Sequence, residues 1–91
     1  MAQIKNICIL GSTGSIGQNT LEVLANFSEK FRPAYLTANK SIHLLQQQIE
    51  KFHPKAVAVL DEKSASVLKQ NLGGSIPIYT GEEGQIGRAH V

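Results

Sequence analysis

Tryptophan is absent, cysteine occurs once, and neither sign of charge dominates in these 91 residues. A single thiol cannot build an internal disulfide framework, so the fold must rest on a packed core, and a reducing, cytoplasmic setting is expected. Nine Lys and Arg against seven Asp and Glu leave a net charge of +2. With both signs scattered along the chain there is no basic stripe, and neither a nucleic-acid nor a membrane partner is expected. Long apolar runs are missing too: the first breaks at Gly11, too early for a signal-peptide core or a membrane span. Cys8 lies inside that run and is expected to pack as a small hydrophobe, not to act as a nucleophile or ligand. His43 and His53 stand on either side of a predicted helix and suggest no metal site. The length allows one small domain that buries somewhat more than about 60% of its unfolded surface, and a two-domain enzyme cannot fit.

What is present is concentrated in Gly11-Ser12-Thr13-Gly14-Ser15-Ile16-Gly17, directly after the apolar Ile7-Cys8-Ile9-Leu10. A buried strand that opens through glycines into a helix brings main-chain amides within reach of phosphate oxygens, and the helix dipole favours the anion's charge. Thr13 and Ser15 add hydroxyl donors. The spacing is GxxGxxG and not the common GxGxxG, yet it still supplies the turn, the close approach and the tight helix packing. Dinucleotide binding is the reading this supports, with a plain strand-to-helix linker as the alternative.

Residues 4–10 read as a first strand, its near-continuous apolar character suiting a parallel strand covered on both faces. A helix over 16–27 places Ile16, Thr20, Leu21, Val23, Leu24 and Phe27 on one apolar stripe. Phe31 to Thr37 form a second strand, with Pro33 near its start where a missing N–H costs least. Ser41 can cap a helix that runs to about Phe52, burying Ile42, Leu45, Ile49 and Phe52 and stopping before His53-Pro54. Residues 56–60 form a third strand, and Asp61 or Glu62 opens a third helix carrying Ala65, Val67, Leu68 and Leu72 as far as Gly73-Gly74. Residues 76–79 complete a βαβαβαβ order. The expected class is α/β: a Rossmann-like parallel sheet with helices on both faces, truncated after about four strands, binding ligand outside the strands' carboxyl ends.

An NAD-preferring site places Asp or Glu at the end of the second strand to accept from the ribose 2′-OH. This chain has Asn39-Lys40-Ser41 there instead, a cation between two neutral hydrogen-bonding groups, which suits a 2′-phosphate and hence NADP. Asp61 falls one strand too late for the ribose and is more simply a helix cap.

Ile9 through Gly17, then Thr20-Leu21, Leu36-Thr37-Ala38-Asn39-Lys40, Phe52, Pro54, Lys55, Asp61 and Gly81-Glu82-Glu83-Gly84 resemble the start of the 1-deoxy-D-xylulose-5-phosphate reductoisomerase family. The resemblance covers nearly all of residues 4–84. It implies an NADPH-dependent enzyme of non-mevalonate isoprenoid biosynthesis that rearranges a sugar phosphate and reduces the product to 2-C-methyl-D-erythritol 4-phosphate. It also implies use of Mg, Mn or Co and a homodimer for the full-length protein. Carried over by position, Thr13, Gly14, Ser15 and Ile16 lie along the cofactor phosphates, and Asn39, Lys40 and Ser41 surround the 2′-phosphate. The family's Gly-Lys-Asn or Gly-Arg-Asn is kept only at its basic centre. The cofactor-binding set is therefore Gly11, Ser12, Thr13, Gly14, Ser15, Ile16, Gly17, Asn39, Lys40 and Ser41, with no catalytic residue or metal ligand in this chain.

Residues 1–85 are expected to form an incomplete NADPH-binding domain that is inactive alone. Residues 86–91, Ile-Gly-Arg-Ala-His-Val, are what a widely used sequencing-adapter oligonucleotide gives on translation, and are expected to be a non-native tail. Two other functions fit the same loop: a stand-alone NADP-binding module, and the start of a semialdehyde-dehydrogenase-like reductase whose cysteine nucleophile would come later.

Overall fold

The computed structural model describes residues 3–80. Seven elements follow one another: β1 (Lys5–Ile9), α1 (Ser15–Ala25), β2 (Phe31–Ala38), α2 (Ile42–Phe52), β3 (Ala56–Val59), α3 (Glu62–Leu72) and β4 (Ile78–Thr80). All strand pairs are parallel, and the spatial order is β1-β2-β3-β4. The α/β, Rossmann-like class is as expected, and the order of elements agrees with the sequence pattern throughout.

The layering differs. Each crossover advances one strand in the same direction, and crossovers of one hand then place successive helices on one face of the sheet. Leu21 of α1, Leu45 and Ile49 of α2, and Ala65 and Leu68 of α3 accordingly share a single core with Ile9, Leu36, Ala38, Val57 and Val59. Helices on both faces, as anticipated, would need the winding to reverse, which it does not do among the described residues. The opposite face carries Tyr35 packed on Ala56 and Ala58.

With the helices all on one side of the sheet, the apolar run of β1 is not covered on both faces: Lys5, Asn6 and Cys8 are exposed and only Ile9 is buried. Cys8 pairs with Tyr35 and is an exposed free thiol, contrary to the packed position expected of it. Pro33 stands third in β2, where the register with β1 slips: Ile7 lies opposite Pro33 and Cys8 opposite Tyr35, leaving Ala34 as the extra residue. A proline cannot donate to the ladder, and an irregularity at that point accommodates it.

Two helix ends follow local signals. His53 closes α2 with a left-handed φ of 50° directly before Pro54, and Gly73 closes α3 at φ 61°. Helix α1 is turned relative to the expected stripe. Gly17 and Leu21 are buried with Leu24 packed beside them, whereas Ile16 is 82% exposed, Val23 55%, and Phe27 lies beyond the helix. The cause is the contact made by Gly17, which fixes the side of α1 that faces the sheet.

Candidate cofactor site

The loop after β1 depends on two glycines with different tasks. Gly11 turns the chain at φ 64°, a conformation that side chains with a Cβ disfavour. Gly17 permits close approach: a Cβ there would run into the Gly11 carbonyl oxygen and lie 2.7 Å from the Ser12 Cα. Between them the Gly14 amide donates to the Gly11 carbonyl at 3.0 Å, tightening the turn.

This loop is tied to the end of β2 through one residue. Gly11 N–H donates to Thr37 Oγ1 at 2.8 Å, and Ser12 N–H donates to the Thr37 carbonyl at 2.8 Å. The glycine loop and Asn39-Lys40-Ser41, two residues beyond Thr37, therefore sit at the carboxyl ends of adjacent strands, at the same edge of the sheet.

Ser12 belongs to the framework of the loop. It is fully buried, its hydroxyl donates to Gln48 Oε1 at 2.7 Å, and Gln48 Nε2 donates back to the Ser12 carbonyl at 2.8 Å. Thr13 is half-buried, while Gly14, Ser15 and Ile16 are exposed. Gln18 Nε2 donates to the Thr13 carbonyl at 2.9 Å, bracing the loop from the helix side.

A helix leaves its first N–H groups without internal partners. Gly14 occupies the N-cap of α1 and provides no side-chain acceptor, so the first-turn amides of Ser15, Ile16 and Gly17 are uncapped. Ser41 occupies the N-cap of α2, but its hydroxyl makes no capping bond, contrary to the role anticipated for it. Helix α3 is different: Asp61 accepts from the Ser64 amide at 3.0 Å and the Ser64 hydroxyl at 2.7 Å. Those bonds, chiefly the one from the hydroxyl, hold the Asp61 carboxyl below its ordinary pKa, with help from the Lys40 and Lys63 charges. The third helix is thus closed by its own side chain, whereas the first two start without a side-chain cap, α2 directly after exposed Lys40, whose carbonyl accepts from the Ile42 amide at 2.7 Å.

Thr37 and Gln48 were not singled out from sequence. Gln48 did leave a signal, since it is polar yet spaced three and four residues from Leu45 and Phe52 on the buried stripe of α2. Thr37 left none. Cys8 stands outside this site, and partial burial pushes its thiol pKa up, away from the reactive thiolate. A groove of about 290 Å³ lined by Leu24, Phe31, Arg32, Pro33 and Phe52 opens at the amino ends of the strands, away from the glycine loop. No helix among the described residues is long and apolar enough to cross a membrane. Residues 81–91, including Gly81-Glu82-Glu83-Gly84 and the suspected tail, lie outside the described residues.

The family model for 1-deoxy-D-xylulose 5-phosphate reductoisomerase matches residues 7–90. A curated protein of that name from Thermoanaerobacter sp. (strain X514) is 49% identical over 81 residues, which are 89% of this chain and 21% of the relative. The reductoisomerase of Zymomonas mobilis, solved in complex with NADPH, superposes with a TM-score of 0.79 at 29% identity, over 87% of this chain and 21% of its own. A DOX-P reductoisomerase in complex with NADPH, fosmidomycin and magnesium gives a TM-score of 0.80 at 28% identity, over 89% and 20%. The chain thus spans about a fifth of the length of the proteins it matches. On the family match across nearly its whole length and on this fold, the chain belongs to the 1-deoxy-D-xylulose 5-phosphate reductoisomerase family.

Proposed function

We propose that this chain is the cofactor-binding start of a 1-deoxy-D-xylulose 5-phosphate reductoisomerase and that its two exposed loops hold NADPH. The observation that carries the reading is the pair of helix starts without side-chain caps at one sheet edge, the first tied to the end of β2 through Thr37 and the second led by exposed Lys40. Oriented amides and an ammonium group are what a dinucleotide with an extra phosphate requires.

In this reading Gly11 and Gly14 shape the turn, and the amides of Ser15, Ile16 and Gly17 receive the diphosphate. The Thr13 and Ser15 hydroxyls add donors. Ser12 contributes by anchoring the loop, because its own hydroxyl is engaged by Gln48. Lys40 pairs with the 2′-phosphate, and Asn39 and Ser41 supply neutral hydrogen bonds beside it. NADPH, when bound, supplies the hydride for reduction of a sugar-phosphate-derived carbonyl. The reductoisomerase solved with NADPH supports this choice of cofactor.

A divalent cation belongs to the family picture through the relative solved with magnesium. No three His, Cys, Asp or Glu side chains gather to hold a metal among the described residues. The metal, the sugar-phosphate substrate and the dimer are proposed for the full-length protein, and this chain by itself is proposed to have no turnover.

Titrating NADPH and NADH into the 91-residue chain, followed by calorimetry, tests the reading. Tighter binding of NADPH is the expected result. Equal affinities would remove the role given to Lys40, and no binding of either would remove the cofactor site.

A further inference from the structure

We propose that Gln48 is a positioning residue: by clamping Ser12 it fixes the span between the diphosphate loop and the 2′-phosphate loop. The proposal rests on the cofactor reading above and deepens it, since Gln48 is 7% exposed and lies behind the loop.

The clamp is specific in its chemistry. Ser12 offers a hydroxyl donor and a carbonyl acceptor, and the Gln48 amide answers with its oxygen at 2.7 Å and its nitrogen at 2.8 Å. A carboxylate at this position lacks the second donor, and a hydrocarbon lacks both. Every buried side-chain polar atom among the described residues has a partner, so the pair leaves nothing unsatisfied.

Stability does not demand the hydroxyl half of this pair. Position 48 falls on the apolar stripe between Leu45 and Phe52, and replacing both partners of the hydroxyl bond by apolar groups is close to neutral, whereas the Ser12 main-chain carbonyl still needs a donor. What an apolar pair cannot supply is direction. Two opposed hydrogen bonds fix the Ser12 main chain in position and orientation, and the glycine turn around it follows.

Placement along α2 gives the clamp its reach. The helix begins at Ile42, directly after Asn39-Lys40-Ser41, and Gln48 lies in its second turn, about 9 Å along the axis. One rigid element therefore has its first turn at the lysine loop and its second turn fastened to the glycine loop. A ligand held at two points gains the full benefit of both only when their separation is fixed to suit it.

The test compares the unmodified 91-residue chain with Ser12→Ala/Gln48→Leu, a double variant that leaves no side-chain polar group of the pair. The probes are NADPH and adenosine 2′-monophosphate, the second reaching only residues 39–41. Expected are a cooperative thermal transition whose midpoint falls by about 4–8 °C for the donor lost to the Ser12 carbonyl, and NADPH affinity lower by about tenfold, the scale of one lost hydrogen-bonded contact. Affinity for adenosine 2′-monophosphate should stay within about twofold. Amide exchange at residues 13–17 should quicken while that at Val57 and Val59 in β3 is unchanged. NADPH binding equal to the parent overturns the proposal and leaves the cofactor reading standing. Failure to fold, or equal loss of both ligands, makes the pair structural and also overturns it. Failure of the unmodified chain to bind NADPH removes the cofactor reading, and this proposal with it.

Discussion

Gly17 of α1 packs its Cα face onto the backbone of Gly11, close enough that no side chain fits between them. This contact sets the rotation of α1 on the sheet, which is why Leu21 and Leu24 turn inward while Ile16 and Val23 face out. It also holds the first turn of α1 beside the open end of β1.

Gly17→Ala is expected to destabilise the chain even though alanine is the better helix former by about 1 kcal/mol. The added methyl meets main-chain atoms, which cannot rotate away, and overpacking of that kind costs about 1–3 kcal/mol. Urea denaturation of parent and variant decides the sign. A raised midpoint would mean that the loop can retreat from the helix without loss.

Asp61 provides a pH dependence whose sign is fixed by its partners. Its pKa is depressed in the folded chain by Ser64, so its share of stability is fully present above the unfolded value, near about 3.9. That share fades as the pH falls through the folded value. Asp61→Ala should lower the urea midpoint at pH 7, and the gap between parent and variant should close on acidification below about pH 4. A gap independent of pH would show that the carboxylate is not the active group in the cap.

How much of this could be read in advance depends on how local each cause is. The glycine turn, the α2 stop at His53-Pro54, the Gly73 ending and the Asp61 cap each arise within a few consecutive residues, and the pattern displays them. The inward turn of Ser12 arises from a partner 36 positions away. The exposure of Cys8 and the single helical layer depend on strand order, since the second face of the sheet is left without helices only because the winding runs one way. Ser41 shows the limit of a local rule: the residue type suits an N-cap and it stands at one, yet its hydroxyl makes no capping bond.

Exposed Cys8 should be modified stoichiometrically by a maleimide under native conditions, because it stands on the edge strand opposite Tyr35 and not inside the core. Its thiol pKa is raised by partial burial, so the reaction at pH 7 should run more slowly than in the urea-unfolded chain. Mass spectrometry over time gives both rates. Labelling that requires denaturant would place the residue in the core after all.

Lys40 supplies the sharpest separation between the two nicotinamide cofactors. Its ammonium group is exposed at the end of β2, next to the uncapped start of α2. Lys40→Ala removes the cation while the main chain of the loop keeps its bonds from Ile42 to the residue 40 carbonyl and from Asp61 to that of Asn39. Because a hydrogen bond to a charged group contributes about 1.5–3 kcal/mol, NADPH affinity should fall by about 10- to 100-fold. NADH carries no phosphate at that position, so its affinity should change by less than about twofold, and the preference for the phosphorylated cofactor should collapse from one side only. Equal losses for both cofactors would mean that Lys40 supports the loop and does not recognise the phosphate.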